Sequence, residues 1–244
     1  MHSATLTGIV LKSTNFKDAD KIYTVFTREK GKVSVAAKGV RKISSKRAGT
    51  MDTLNYVSIG VVESPSGYKT LTEAKNLNSF KNLKVSLENS VRGFYLAELI
   101  HKLMEEEHPH VDIFDLFLET LTKLNHHLNN EISRVNAFEI ALMGAMGYEM
   151  YLDKCAKTNI PYSEGWTSIK FNATLGGLVS DPTVPGLSLT KEAANLLFSL
   201  KTKKSIPKSL LVDLDVVREA NKLIKIFVNE VVDSNMKSSS ILSS

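Results

Sequence analysis

Two hydrophobic rhythms divide the chain. Up to about residue 79, apolar and β-branched residues come in short runs separated by turn signals, which is the pattern of strands. Leu6–Leu11 and Ile22–Thr27 are the first two runs. Val33–Ala37 follows a glycine turn at Glu29–Gly31, Leu54–Val62 comes next, and Tyr68–Ala74 follows the turn Pro65-Ser66-Gly67. Five short strands in so short a stretch suit a small barrel, and five is the strand number of an OB-fold. From about Ser79 the apolar spacing becomes helical. Leu83, Leu87, Val91, Phe94, Leu96, Leu99 and Leu103 predict one long helix that stops at Glu105–Pro109. Phe114, Phe117, Leu118, Leu121 and Leu124 mark a second over about 112–127. A third, over about 132–146, is apolar on several faces and predicted to be buried, with Gly147 placed to end it. Residues 148–187 break the pattern with three prolines and the turn Leu175-Gly176-Gly177-Leu178. Helical spacing then returns at Thr190–Leu200 and Leu210–Val232, before the polar tail Ser238–Ser240. The expected fold is α+β in two domains: an OB-fold β-barrel over 1–79, then an all-α helical domain over 80–244 with an irregular insert at about 148–187.

Charge changes the picture because it is uneven. The chain carries a formal +5, but residues 1–80 hold 13 Lys/Arg against 6 Asp/Glu, whereas residues 81–244 hold 18 against 20. The basic excess is confined to the strand-rich third, and it peaks in Lys38-Gly-Val-Arg-Lys-Ile-Ser-Ser-Lys-Arg47, with five cations and no acid. Such a cluster repels itself unless solvent or a polyanion relieves it, and nucleic-acid phosphate is the usual polyanion. A solvated surface loop is the plainer alternative. With 43% hydrophobic and 23% charged residues the chain is globular in composition. It has no apolar run near the length of a membrane-spanning helix, and its start lacks the basic region and apolar core of a signal peptide. A single cysteine, Cys155, excludes an intrachain disulfide and fits a reducing compartment. These features lead us to expect a cytoplasmic protein with no membrane contact.

Motifs for catalysis are weak. Gly67-Tyr-Lys-Thr70 shares the end of a phosphate-binding loop but lacks its upstream glycine and sits between strands, so it reads as a hairpin turn. Glu105–His110 reads as a charged helix end stopped by proline rather than a set of metal ligands. His126-His127 suits the dipole at a helix C-terminus. No Ser/His/Asp arrangement or paired-acid motif is visible, although a dispersed site leaves no such trace.

The order of features does resemble a known family. Phe26-Thr27, Lys30-Gly31 and Ala36-Ala-Lys-Gly-Val-Arg41 resemble an FT…G…AKGxR segment. Phe138-Glu-Ile-Ala-Leu-Met-Gly-Ala-Met-Gly147 resembles that family's central helix, Cys155 with Gly176-Gly177 its insert, and Met236–Leu242 its C-terminal segment. The family is the RecO family of recombination mediators, and the similarity covers nearly the full length. It implies a non-enzymatic protein, without cofactor, that binds single- and double-stranded DNA and anneals complementary strands. It further implies joining RecR to load RecA in the RecFOR pathway, and contact with the acidic C-terminal tail of single-stranded DNA-binding protein. Many members hold zinc with four cysteines in the insert; the positions here are Cys155, Thr158, Ser180 and Thr183. Hydroxyls are poor zinc ligands beside thiolate. We therefore expect a degenerate zinc-finger-like insert without metal, held by packing around Trp166 and Phe171.

Within that frame, Lys38, Arg41, Lys42, Lys46 and Arg47, aided by Lys32 and Arg28, are the expected phosphate contacts. Of the barrel's aromatics, Tyr23 and Tyr56 are candidates to touch bases, and Phe26 is expected in the core. Arg134, Lys123 and Arg218 are the candidate anchors for a partner's acidic tail, and Lys201, Lys203, Lys204 and Lys208 form a further basic patch. The competing view is an OB-fold adaptor that binds protein through its basic loop and does not bind DNA. An enzyme with a dispersed site around His101 and the insert hydroxyls is the other alternative.

Overall fold

The computed structural model describes residues 2–41, 47–126, 130–202 and 213–242. Five strands, β1 (His2–Phe16), β2 (Asp20–Thr27), β3 (Gly31–Ala37), β4 (Tyr56–Glu63) and β5 (Lys69–Asn78), form an OB-like barrel. It closes in the order β1-β2-β3-β5-β4, with a single helical turn, α1 (Arg47–Thr50), between β3 and β4. Closure depends on the length of β1, which serves two neighbours. Its first half pairs with β4, from His2 opposite Glu63 to Ile9 opposite Tyr56. Its second half pairs with β2, from Gly8 opposite Thr27 to Phe16 opposite Asp20, with a register irregularity between Val10 and Lys12. Such an irregularity bends a strand and lets one strand turn a barrel corner. The interior is filled by alternating residues, among them Leu6, Val10, Tyr23, Val25, Val33, Val57 and Ile59.

The opposite face of several strands is buried as well. Ile9 and Phe26 are inaccessible to solvent yet lie outside the barrel core. Of the three helices that follow, α2 (Lys81–Val85), α3 (Leu87–Leu103) and α4 (Val111–Asn125), α3 packs on β1 and α4 on Phe26. The Phe26 ring lies 5.6 Å from that of Phe114, and Tyr56 lies 6.3 Å from the same ring. Where one long helix was expected over this region there are two, because Ser86 leaves helical geometry (φ −76°, ψ 118°) and its hydroxyl accepts the Asn89 amide at 3.3 Å. That N-cap starts α3 afresh.

The chain forms two compact units, 1–128 and 129–244. The second contains α5 (Glu131–Ala145), the short strands β6 (Lys170–Asn172), β7 (Gly177–Val179) and β8 (Leu187–Ser188), then α6 (Lys191–Thr202) and α7 (Leu214–Leu242). The last helix therefore takes in the segment read from sequence as a polar tail. Phe138, Leu142, Leu196, Leu197, Ile224 and Val228 are fully buried in this unit. The Glu139 carboxylate, also buried, accepts the Lys225 ammonium at 2.9 Å. The insert is a three-stranded sheet in the order β7-β6-β8. Phe171, on its central strand, is buried, and Trp166 meets Tyr162 edge-on at 5.3 Å. No helix among the described residues is long and apolar enough to cross a membrane.

Candidate nucleic-acid interface

Apart from Lys12 and Lys75, exposed on β1 and β5, the barrel's described cations form two groups, set by the two ends of the β2–β3 hairpin. At its turn, residues 27–31, the charges are matched by acids. Arg28 makes a two-pronged pair with Asp115, both bonds 2.9 Å, and this hydrogen bonding holds the Asp115 carboxyl below its ordinary range. Lys30 pairs with Glu63 at 3.2 Å, and Lys69 pairs with both Glu63 and Glu107. Lys32 is buried and its ammonium donates to the His101 carbonyl at 2.8 Å; burial lowers its pKa.

One close approach creates this arrangement. Gly31 sits at φ +67° with the His108 carbonyl so near that a Cβ would come within 2.0 Å of the oxygen. The acidic segment 105–109 thereby reaches the edge of β3, where the Glu107 amide donates to the Lys32 carbonyl at 2.9 Å and the Ser34 hydroxyl to Glu106 at 3.1 Å. Lys69, within the Gly67–Thr70 string that shares the end of a phosphate loop, is thus consumed in ion pairs beside an ordinary turn at Gly67 (φ +80°).

The open end of the same hairpin is different. Here the β1–β2 tip, residues 16–20, meets the start of the basic loop. The Gly39 amide donates to Asp20 Oδ1 at 2.8 Å, the Arg41 amide to the Ala19 carbonyl at 3.0 Å, and the Arg41 guanidinium to the Asp18 carbonyl at 3.1 Å. These bonds fix the loop's root while Lys17, Lys38 and Arg41 remain exposed. Among the described residues the Arg41 guanidinium bonds carbonyls and no carboxylate, so its charge stays uncompensated there. Lys42 and Lys46 lie outside the described residues, and Arg47 opens α1. Of the seven expected phosphate contacts, the structure leaves Lys38 and Arg41 facing solvent and gives Arg28 and Lys32 internal partners. The aromatics also sort differently from expectation. Tyr23 is in the barrel core and Tyr56 is half-buried against Phe114, whereas Phe16, at the hairpin tip, is exposed. Alternation in β2 gave no sign of this, but a hairpin turn next to a basic loop was the available signal.

Two of the three expected partner-binding cations are paired with acids. Lys123 pairs with Glu119 on its own helix and Arg218 with Asp215 at 3.5 Å. Arg134, on α5, has a buried Nε without a hydrogen-bond partner among the described residues. Lys201 pairs with Glu149 at 2.8 Å; Lys203, Lys204 and Lys208 lie outside the described residues.

The donor set of the insert does not fit zinc. Cys155 is fully buried, and hydrogen bonds from Thr158 and Ser180 are directed at its sulfur. Thr183 instead donates its hydroxyl to Asp181 at 2.6 Å, and Asp181 pairs with Lys157 at 2.9 Å. One thiol and hydroxyls committed elsewhere do not make a zinc site. Among the described residues no group of three His, Cys, Asp or Glu could hold a metal ion. Burial works to raise the thiol pKa, but the hydroxyl and backbone hydrogen bonds outweigh it and bring it to about 6. The folded pKa lies below the unfolded value of about 8.5. The resulting stabilisation is therefore complete above about pH 8.5 and lost as pH falls through about 6. Thiolate ultraviolet absorbance should titrate near pH 6 in the native protein and shift upward in Thr158→Val; a midpoint at the ordinary thiol value contradicts the arrangement.

Comparison with known sequences agrees with the fold. The family models described as Recombination protein O N terminal and Recombination protein O C terminal match residues 1–80 and 86–240. A protein of Anaeromyxobacter dehalogenans is 30% identical over 191 residues, covering 78% of this chain and 74% of that one. Relatives from Acetivibrio thermocellus (26% over 233 residues; 93% and 91% covered) and Dehalococcoides mccartyi (29% over 231 residues; 90% and 89%) are similar over nearly their whole length. All three are named DNA repair protein RecO. A barrel and a helical region in this order, matched end to end by both family models, place this chain in the RecO family of DNA repair proteins.

Proposed function

We propose that the chain is a non-enzymatic recombination mediator that binds single- and double-stranded DNA through phosphate contacts. In this role it anneals complementary strands and, with RecR, helps load RecA onto DNA coated by single-stranded DNA-binding protein. The observation that carries the reading is the division of the barrel's cations. Arg28, Lys30 and Lys69 are paired with Asp115, Glu63 and Glu107, while Lys38 and Arg41, at the hydrogen-bonded start of the basic run, stay exposed and pair with no carboxylate among the described residues. Lys42, Lys46 and Arg47, next along the sequence, complete the proposed contact set, and Arg28 and Lys32 drop out of it. Phosphate contacts position nucleic acid without reading sequence, so base edges stay free to pair.

Arg134 is the preferred anchor for the acidic tail of single-stranded DNA-binding protein, since Lys123 and Arg218 already face carboxylates. A cytoplasmic, nucleoid-associated location goes with this role. An annealing assay tests the reading. Two complementary oligonucleotides should pair faster in the presence of the protein, and the gain should vanish at high salt. Unchanged annealing rates, with no oligonucleotide bound, would favour the adaptor alternative.

A further inference from the structure

The open end of the hairpin carries an aromatic ring as well as cations. Six aromatics lie in residues 1–80, and four are committed: Tyr23, Phe26 and Phe80 are at most 1% exposed, and Tyr56 packs on Phe114. Of the two that remain, Tyr68 (46% exposed) belongs to the β4–β5 turn beside the neutralised Lys69, Glu63 and Glu107. Phe16 (37% exposed) sits at the β1–β2 tip, next to the exposed cations Lys17, Lys38 and Arg41.

The tip is held in place. Lys17 adopts φ +53°, a conformation that L-residues rarely take, and the Arg41 guanidinium bonds the carbonyls of Lys17 (3.4 Å) and Asp18 (3.1 Å) around it. The Lys17 ammonium lies 5.2 Å from the Phe16 ring centroid. A solvent-exposed phenyl ring fixed beside several exposed cations has both elements of single-strand recognition: a surface on which a base stacks, and charges that track the backbone.

We propose that Phe16 is a base-stacking residue that gives this end of the barrel a preference for single-stranded DNA. The inference rests on the phosphate-contact reading above and adds to it the unpaired base as ligand. A duplex, whose bases are already stacked, offers its phosphates to Lys38 and Arg41 but nothing to the ring. One ring holds one base and leaves its neighbours free to pair, so the site is compatible with annealing where a row of aromatics would compete with it.

The test is anisotropy at one moderate salt concentration with three labelled probes: a single-stranded oligonucleotide, the same length made entirely of abasic nucleotides, and a duplex. Variants are Phe16→Ala, Phe16→Leu, which keeps apolar bulk without a π face, and Phe16→Tyr, with thermal melting to confirm folding. Phe16→Ala and Phe16→Leu should weaken the single-stranded probe about fivefold or more, the low end for one stacked base. The abasic and duplex probes should shift by less than about twofold. Phe16→Tyr should bind like the wild type. Equal losses on all three probes in folded variants, or no loss on any, overturn the stacking role. Failure of the wild-type protein to bind any probe overturns the phosphate reading itself and takes this inference with it.

Discussion

Replacing Lys38, Arg41, Lys42, Lys46 and Arg47 with glutamine is expected to weaken single-stranded DNA binding by about 10³-fold at ~0.1 M salt. The magnitude follows from counterion release: each phosphate contact contributes ~0.7 to the slope of log affinity against log salt, or ~0.7 log units at ~0.1 M. Neutralising all five cations should also flatten that slope by about 3.5. The slope is the sharper observable, because a folding defect lowers affinity without removing counterions in this proportion. The control comes from the other end of the β2–β3 hairpin. Arg28 and Lys32 are equally basic in sequence, but one faces Asp115 and the other is buried against the His101 carbonyl. Replacing Arg28 and Lys32 should leave the slope within about one unit of the wild type. An unchanged slope in the five-fold variant, or an equal loss in the control, would remove the loop from the interface.

Gly31→Ala is expected to be among the most destabilising single substitutions in the first unit, at about 3–5 kcal/mol in chemical denaturation, near the top of the range for point mutants. Two costs combine. A left-handed φ of +67° disfavours any L-residue by about 1–2 kcal/mol. The new methyl would also clash with the His108 carbonyl oxygen, a backbone atom that no side-chain rotation can move aside, so the 105–109 segment must move. That displacement disturbs the hydrogen bond from the Glu107 amide to the Lys32 carbonyl and the pairing of Glu107 with Lys69, leaving a buried ammonium short of one partner. The basic loop, at the opposite end of the hairpin, should keep its DNA affinity below the new melting temperature. A variant as stable as the wild type would mean that the acidic segment does not rest on β3 as described.

How far the sequence reaches is clear from particular residues. The strands were legible because Val, Ile and Tyr recur in short runs bounded by glycine, and the helices because leucine recurs at helical spacing. The confinement of positive charge to the first 80 residues was likewise plain. What stayed hidden was which cations are free. The acid that neutralises Arg28, and the carbonyl that takes Lys32, are 87 and 69 residues away. No local pattern predicts such pairs. The aromatics were hidden for a related reason: period-two alternation separates the two faces of β2 but does not say that α4 covers the outer one, so Phe26 and Tyr23 are both buried. Ser86 lacked a glutamate or glutamine three residues on to announce a capping box, and a continuous leucine pattern ran across it. In the insert, the replacement of three thiolates by hydroxyls was visible, but the turning of Thr158 and Ser180 toward Cys155 was not.

The most direct test of the central claim is the affinity of the wild-type protein for a labelled single-stranded oligonucleotide, measured by anisotropy across a series of salt concentrations. Tight binding at low salt, falling with a slope of about 3.5 or more at ~0.7 for each of five phosphate contacts, is the expected result. Absent binding, or binding indifferent to salt, would contradict it and assign the loop from Lys38 to Arg47 to a protein partner.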